Sequence, residues 1–127
     1  MNDNQAINVL IIDDDYINRR LIHMLVSANT HFNIIGEVGS AEEALEFCRY
    51  ISPDVVITDY NLPGINGIEM SRAIKRLSPQ TPVLMMSASY SEPGIEQAAK
   101  QAGVHTFLHK PVRADLLQSA LAEVTGF

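Results

Sequence analysis

The chain has little of what marks several large classes of protein. It contains one cysteine, Cys48, among 127 residues, which excludes an internal disulfide. Its 9 lysines and arginines are outnumbered by 15 acidic residues, giving a formal net charge of −6, and no basic cluster compensates locally. These deficits argue against a nucleic-acid surface, so we expect no direct binding to DNA.

Long hydrophobic runs are also missing. The apolar stretches are far shorter than the roughly 20 residues of a membrane-spanning helix. The first basic residue is Arg19, so we expect no positively charged leader. We therefore expect a cytoplasmic protein without a membrane anchor. A hydrophobic content of 46% is sufficient for one core, and the prediction is a single domain over residues 1–127.

Five short apolar runs alternate with five amphipathic patterns. Continuously apolar runs joined by short loops favour a parallel sheet covered by helices on both faces. The predicted fold class is α/β, a single doubly wound five-stranded parallel sheet, (βα)5, with the flavodoxin-like strand order 2-1-3-4-5. The predicted strands lie at 7–12, 33–38, 55–59, 83–87 and 104–108.

The helical patterns predict which side chains face the core. Asp15 is assigned to capping the first helix, and Gly103 fits the position that follows the fourth. Cys48 lies on an apolar stripe of the second helix, so we interpret it as a core residue. In the first helix the predicted stripe is Ile17, Leu21, Met24, Leu25 and Ala28, and in the fifth it is Leu116, Leu117, Ala120, Leu121 and Val124.

Polar residues stand where the predicted strands end. Asp13 and Asp14 follow strand 1, Asp59 ends strand 3, Ser87 ends strand 4 and Lys110 follows strand 5. Because the carboxyl ends of parallel strands form one crevice, these side chains should converge there. Edge strand 2 ends in Val38-Gly39, which carries no such chemistry.

Three crowded carboxylates repel one another, so such a site should raise a pKa or hold a divalent cation. Oxygen ligands favour Mg²⁺, with Mn²⁺ as the alternative. A carboxylate beside such a cation can act as the nucleophile of phosphoryl transfer and form an aspartyl phosphate. Asp59 is the candidate, with Lys110 and Ser87 as the remaining donors. The four histidines lack metal-site spacing and are unassigned: His23, His31, His105 and His109.

Each of these residues also has an ordinary structural interpretation. Asp14 could cap the first helix, and Asp59 alone would often be a turn residue. A serine at a strand end or a lysine on a surface is common. Phe107 is predicted at the end of strand 5, beside Ser87 at the end of strand 4, but a lone aromatic in an apolar strand usually packs in the core. The joint placement of the set is what favours a functional site.

The chain resembles the receiver domain of two-component response regulators, of the CheY-like kind. The resemblance covers nearly all of the chain and is carried by the segments VLIIDDD, VVITDYNLPGINGIE, PVLMMSA and FLHKP. It implies that Asp59 is the phosphoacceptor and Ser87 the switch hydroxyl. Family members often carry tyrosine where this chain has Phe107, and the bond corresponding to Lys110-Pro111 is often cis.

The resemblance also implies a set of Mg²⁺ ligands. Asp14 and Asp59 would bind the ion through their side chains, Asn61 through its backbone carbonyl, and Asp13 through a metal-bound water.

The implied function is a phosphorylation-controlled switch rather than an enzyme, apart from Mg²⁺-dependent self-phosphorylation and self-dephosphorylation. A sensor histidine kinase or a histidine phosphotransfer protein would supply the phosphoryl group. The surface of helix 4, strand 5 and helix 5 would then be read by a downstream effector, an output domain or a second protomer. Because the chain ends at Phe127, we expect no output domain, as in a stand-alone regulator or a domain excised from a longer one.

Two other classes fit less well. A haloacid-dehalogenase-type phosphatase also uses a strand-end aspartate and Mg²⁺, but it typically has a second aspartate two residues later, where this chain has Asn61. A receiver-like module that works without phosphorylation usually lacks part of the acidic set or the lysine, and all of them are present here.

Overall fold

The computed structural model describes residues 6–88 and 93–127. Within these ranges five parallel strands alternate with five helices, and the sheet order is β2-β1-β3-β4-β5. The predicted fold class and strand order are therefore confirmed. The sequence predicts a polar loop after Ser87 that runs through Pro93-Gly94, and residues 89–92 of this loop lie outside the described residues. The elements are β1 (Ile7–Ile12), α1 (Tyr16–Ser27), β2 (Phe32–Val38), α2 (Ala41–Tyr50), β3 (Val55–Asp59), α3 (Gly67–Leu77), β4 (Val83–Ser87), α4 (Ile95–Gln101), β5 (Val104–His109) and α5 (Ala114–Thr125).

The core lies on both faces of the sheet because alternate strand residues point to opposite sides. One face packs against α2, α3 and α4, and the other against α1 and α5. The central strands β3 and β4 are buried over their whole length, which explains why their sequences are continuously apolar. Cys48 is buried against the first face, and burial raises the pKa of its thiol, so its interpretation as a core residue is confirmed.

The ends of the helices follow local side-chain chemistry. The Asp15 carboxylate accepts hydrogen bonds from the backbone N–H groups of Ile17 and Asn18 and caps α1, as predicted. Gly103 follows α4 with a φ of +94°, a left-handed conformation that suits glycine. None of the helices in the described ranges is long and apolar enough to span a bilayer.

Most of the predicted inner stripe of α1 is wrong. Ile17 is 74% exposed and Met24 is 68% exposed. The buried residues are instead Ile22 and Val26. Helical spacing allowed two faces, and the face of residues 18, 22 and 26 is the one that lies towards the sheet, where Asn18 contacts Asp13. Leu21 and Ala28 are also exposed, whereas Leu25 is half-buried against the core.

In α5 the prediction is mostly confirmed. Leu117, Ala120 and Leu121 are buried, and Val124 packs beside them. Leu116 is the exception, with 48% of its surface exposed. It neighbours Leu117 in sequence, and adjacent helical positions point in different directions.

Candidate functional site

The strand ends bring the predicted polar residues to one edge of the sheet. In the parallel ladder Asp59 is paired with Met86, and Ser87 with His109. The ladder continues past the strand ends, since the backbone N–H of Lys110 donates to the carbonyl of Ser87 at 2.9 Å. Backbone pairing therefore positions the ends of β3, β4 and β5 side by side.

Lys110 connects the acidic groups of two strands. Its Nζ donates a hydrogen bond to Asp59 Oδ2 at 2.9 Å and lies 3.6 Å from Asp13 Oδ2. The Lys110 side chain is only 21% exposed, and both carboxylates are nearly inaccessible. A single ammonium thus faces two buried carboxylates.

The pKa values of Asp59 and Lys110 are both raised, but for different reasons. Burial raises the pKa of the Asp59 carboxyl, with a further contribution from the charge of Asp13. The Lys110 ammonium and the Asn61 N–H offset only part of this. Burial disfavours the Lys110 ammonium, but the hydrogen bond to Asp59 and the charges of Asp59 and Asp13 outweigh it, so the pKa of Lys110 is raised. Lys110 therefore remains cationic at neutral pH.

Three carboxylates form a group that suits a hard cation. Asp13, Asp14 and Asp59 each offer an oxygen, and these atoms lie within 4.8 Å of one another. Asp13 and Asp59 are buried while Asp14 is exposed, so the group opens to solvent on one side. An all-oxygen donor set with one lysine for three carboxylates leaves net negative charge, which fits Mg²⁺.

The loop after β3 is held close to Asp59 by a tight approach of α3. The N–H of Gly67 donates to the carbonyl of Tyr60 at 2.7 Å. A Cβ on residue 67 would lie 2.6 Å from the carbonyl oxygen of Asp59 and 2.9 Å from the Cα of Tyr60, so only glycine fits. Asn61 lies in this loop, is exposed, and its N–H donates to Asp59 Oδ1 at 3.3 Å.

Two residues of α1 hold Asp13 and were not among the predicted site residues. The Asn18 side-chain amide donates to Asp13 Oδ2, and Arg19 Nη1 donates to the Asp13 backbone carbonyl at 2.6 Å. Arg19 also lies 4.0 Å from Glu37 of β2. The sequence shows a polar side chain at position 18, one helical turn before Ile22, but it does not show which face of α1 lies on the sheet.

The predicted switch residues lie on neighbouring strands, but only Ser87 is at the end of its strand. Ser87 is fully buried at the end of β4. Phe107 is paired with Met85, two residues before the end of β5, so its expected place at the strand end is corrected. Phe107 is half-buried against the core, and its ring meets that of His109 edge-on at 5.4 Å. The Lys110-Pro111 bond is cis.

Known proteins resemble this chain in sequence and in fold. A family model described as the response regulator receiver domain matches residues 9–122. Response regulator UvrY from Escherichia coli (strain K12) is 30% identical over 118 residues, which are 93% of this chain and 54% of that protein. The signal receiver domain of the putative response regulator NarL from Mycobacterium tuberculosis superposes with a TM-score of 0.85 at 28% identity, covering 97% of this chain and 99% of that one.

The protein-glutamate methylesterase/protein-glutamine glutaminase 1 of Syntrophomonas wolfei is 36% identical over 106 residues, which are 81% of this chain and 29% of that enzyme. The chain spans about half the length, or less, of the curated relatives it matches.

The chain belongs to the response regulator receiver domain family. Members of this family are regulatory domains of two-component systems, and their general function is that of a phosphorylation-controlled switch. They work with histidine kinases or phosphotransfer proteins and with output domains.

The raised pKa of Asp59 leads to a prediction about stability without metal. The native state holds the Asp59 proton more tightly than the unfolded chain does, so stability is lost as the pH rises and Asp59 ionises. We expect Asp59→Asn to raise the Tm at pH 7 in the presence of a chelator, and this advantage to shrink as the pH is lowered through the carboxylate range. Thermal unfolding followed by circular dichroism measures it.

The matched control is Asp115→Asn, which removes an exposed carboxylate of α5 and should leave the Tm nearly unchanged. A Tm for Asp59→Asn equal to or below that of the wild type at pH 7 would contradict the interpretation.

Proposed function

We propose that Asp59 is the phosphoacceptor of this receiver and that the acidic group beside it binds Mg²⁺. The observation that carries the proposal is the placement of Asp59 at the end of β3, 2.9 Å from Lys110 and beside Asp13 and Asp14. Phosphoryl transfer requires this combination of a nucleophile, a cation and a metal-binding oxygen set at one point.

In the proposed transfer, an Asp59 carboxylate oxygen forms a bond to the phosphorus of a phosphohistidine. The N–P bond breaks, and its electron pair leaves with the imidazole. Bound Mg²⁺ would supply positive charge to the phosphoryl oxygens. The ion would be held by the side chains of Asp14 and Asp59, by the backbone carbonyl of Asn61 and, through a water, by Asp13. Lys110 already touches the Asp59 carboxylate and would donate to the transferred group.

A hydrolase reaction has less support in the same site. A phosphatase of the haloacid-dehalogenase type needs an acid or base close behind its nucleophile, and the residue two positions after Asp59 is Asn61, an amide. We therefore propose no reaction beyond phosphorylation and dephosphorylation of Asp59 itself.

The exposed face of α1 is the proposed docking surface for the protein that supplies the phosphoryl group. The helix begins beside the acidic group, and four of its large apolar side chains face solvent: Tyr16 (62% exposed), Ile17 (74%), Leu21 (43%) and Met24 (68%). Such a patch next to a reactive group suits a partner that must place its own side chain within bonding distance of Asp59.

The proposed output surface is formed by α4, β5 and α5. A phosphoryl group adds charge and three acceptor oxygens, so the Ser87 hydroxyl could move towards it and give a charge-assisted hydrogen bond. Movement at the end of β4 would alter the packing of Phe107, because Phe107 of β5 is paired with Met85 of β4. An effector, an output domain or a second protomer would read the altered surface.

The nucleophile is tested by mass spectrometry after incubation with Mg²⁺ and the small phosphodonor phosphoramidate. We expect the wild type to gain the mass of one phosphoryl group, and Asp59→Asn to gain none, because the amide is not nucleophilic. Asp54→Asn is the matched control, since Asp54 precedes the same strand at its opposite end and is exposed. An undiminished adduct in Asp59→Asn would place the site elsewhere.

The docking surface is tested with Ile17→Glu and a histidine kinase that phosphorylates the wild type. We expect transfer from the kinase to slow by roughly ten-fold or more, since a buried charge at an interface costs more than about 1.4 kcal/mol. Phosphorylation by phosphoramidate should be unchanged. Leu77→Glu alters an equally apolar exposed residue at the end of α3 and should transfer normally. Equal rates for all three proteins would refute the assignment.

The switch is tested by NMR with beryllofluoride, a phosphoryl mimic. In the wild type we expect shifts in the acidic group and also in β5 and α5. Ser87→Ala should keep the shifts in the acidic group and lose most of the shifts in β5 and α5, because it removes the hydroxyl that would move towards the phosphoryl group. Phe107→Tyr should behave as the wild type and Phe107→Ala should change the population of the two states. Wild-type shifts confined to the acidic group would exclude this switch.

A further inference from the structure

The main chain of Asp13 is held in place by groups other than Asn18. Its N–H donates to the carbonyl of Val38 at 3.0 Å, and its carbonyl accepts from Arg19 Nη1 at 2.6 Å. Arg19 is itself largely buried, with 18% of its side chain exposed beside Glu37. The remaining freedom of Asp13 is rotation of its side chain.

The orientation of the Asp13 carboxylate is set by two hydrogen-bond donors and one nearby ammonium. Oδ1 accepts from the backbone N–H of Asp15 at 2.8 Å, and Oδ2 accepts from the side-chain amide of Asn18. Lys110 Nζ lies 3.6 Å from the same Oδ2. A carboxylate has about four acceptor positions, and hydrogen bonds use two of them here while the ammonium faces a third. Asp13 has no exposed surface, and a buried charge needs such donors.

We propose that Asn18 is a positioning residue of the metal site. It fixes the rotation of the Asp13 carboxylate, so that the acceptor position left on this side chain is presented to Mg²⁺ or its bound water. Its amide also occupies Oδ2, which keeps Lys110 closer to Asp59 (2.9 Å) than to Asp13 (3.6 Å). The inference rests on the proposed function, because it concerns the same Mg²⁺ site.

The location of Asn18 in α1 supports this role. It lies four and eight residues before Ile22 and Val26, which have no exposed surface, so its side chain is on the inner face of the helix. An amide on an inner face is costly unless it has a partner. Here the partner is a carboxylate, and such charge-assisted hydrogen bonds are stronger than neutral ones.

The experiment measures Mg²⁺ affinity by isothermal titration calorimetry, with the metal alone as the probe. Loss of a group that orients a metal ligand typically weakens binding by about 10- to 100-fold, and we expect Asn18→Ala to raise the Mg²⁺ Kd by about ten-fold. Asn18→Gln, which keeps an amide donor on a longer side chain, should recover part of the loss. Asp14→Ala gives the reference for a lost direct ligand.

The matched control separates positioning from general loosening of α1. The amide of Gln118 donates to the Leu25 carbonyl at 2.7 Å and ties α1 to α5 without touching Asp13. Gln118→Ala therefore also removes an amide hydrogen bond from α1, and it should leave the Mg²⁺ Kd unchanged. A second readout is the NMR signal of the Asn18 side-chain amide, which should shift on Mg²⁺ binding and on Asp13→Asn.

The outcomes distinguish this inference from the proposed function. A wild type that binds Mg²⁺, with a Kd equal in Asn18→Ala and the wild type, would overturn the role of Asn18 alone. Equal weakening in Asn18→Ala and Gln118→Ala would also overturn it, since loosening of the helix would then suffice. Absence of Mg²⁺ binding by the wild type would overturn the proposed function and this inference with it. If Asn18→Ala does not fold, the role of Asn18 is tested by the Mg²⁺ Kd of Asn18→Gln against that of the wild type and by the shift of the Asn18 side-chain amide signal. An unchanged Kd together with an unshifted amide signal would overturn it.

Discussion

The site depends on the contact between one ammonium and two buried carboxylates at the carboxyl edge of the sheet. Lys110 is joined to Asp59 at 2.9 Å and faces Asp13 at 3.6 Å. Without the ammonium, the two buried charges would repel each other in a region that water barely reaches. The arrangement of β1, β3 and β5 around this point allows the carboxylates to remain charged and close together.

This contact does not remove the cost of the site. Burial still raises the pKa of Asp59, so ionisation of this carboxyl costs more in the native state without metal than in the unfolded chain. A cation bound beside Asp59 would offset this cost, because it would place positive charge where carboxylates are in excess. In the proposed function, the residue that lowers the stability of the native state is therefore also the one that reacts.

Much of the candidate site could be predicted because its residues stand at strand ends. Asp59, Ser87 and Lys110 follow apolar runs, and parallel pairing must bring such positions to one edge. The residues that hold Asp13 could not be found in this way. Asn18 and Arg19 lie within a helix, and whether they face the sheet depends on the rotation of α1, which helical periodicity alone left between two apolar faces. The wrong stripe of α1 and the missed contacts of Asn18 therefore have the same cause.

The sequence by itself determined the fold class, the strand order and the identity of the polar residues at the carboxyl edge, because strand period, burial and crossover handedness leave few topologies for five alternating βα units. Only the tertiary structure decided that Lys110 pairs with Asp59 rather than Asp13, where Phe107 lies along β5, and which residues of α1 face the sheet. These features depend on distances of a few tenths of an ångström and on helix rotation. Both are set by packing between elements distant in the chain, which local patterns do not encode.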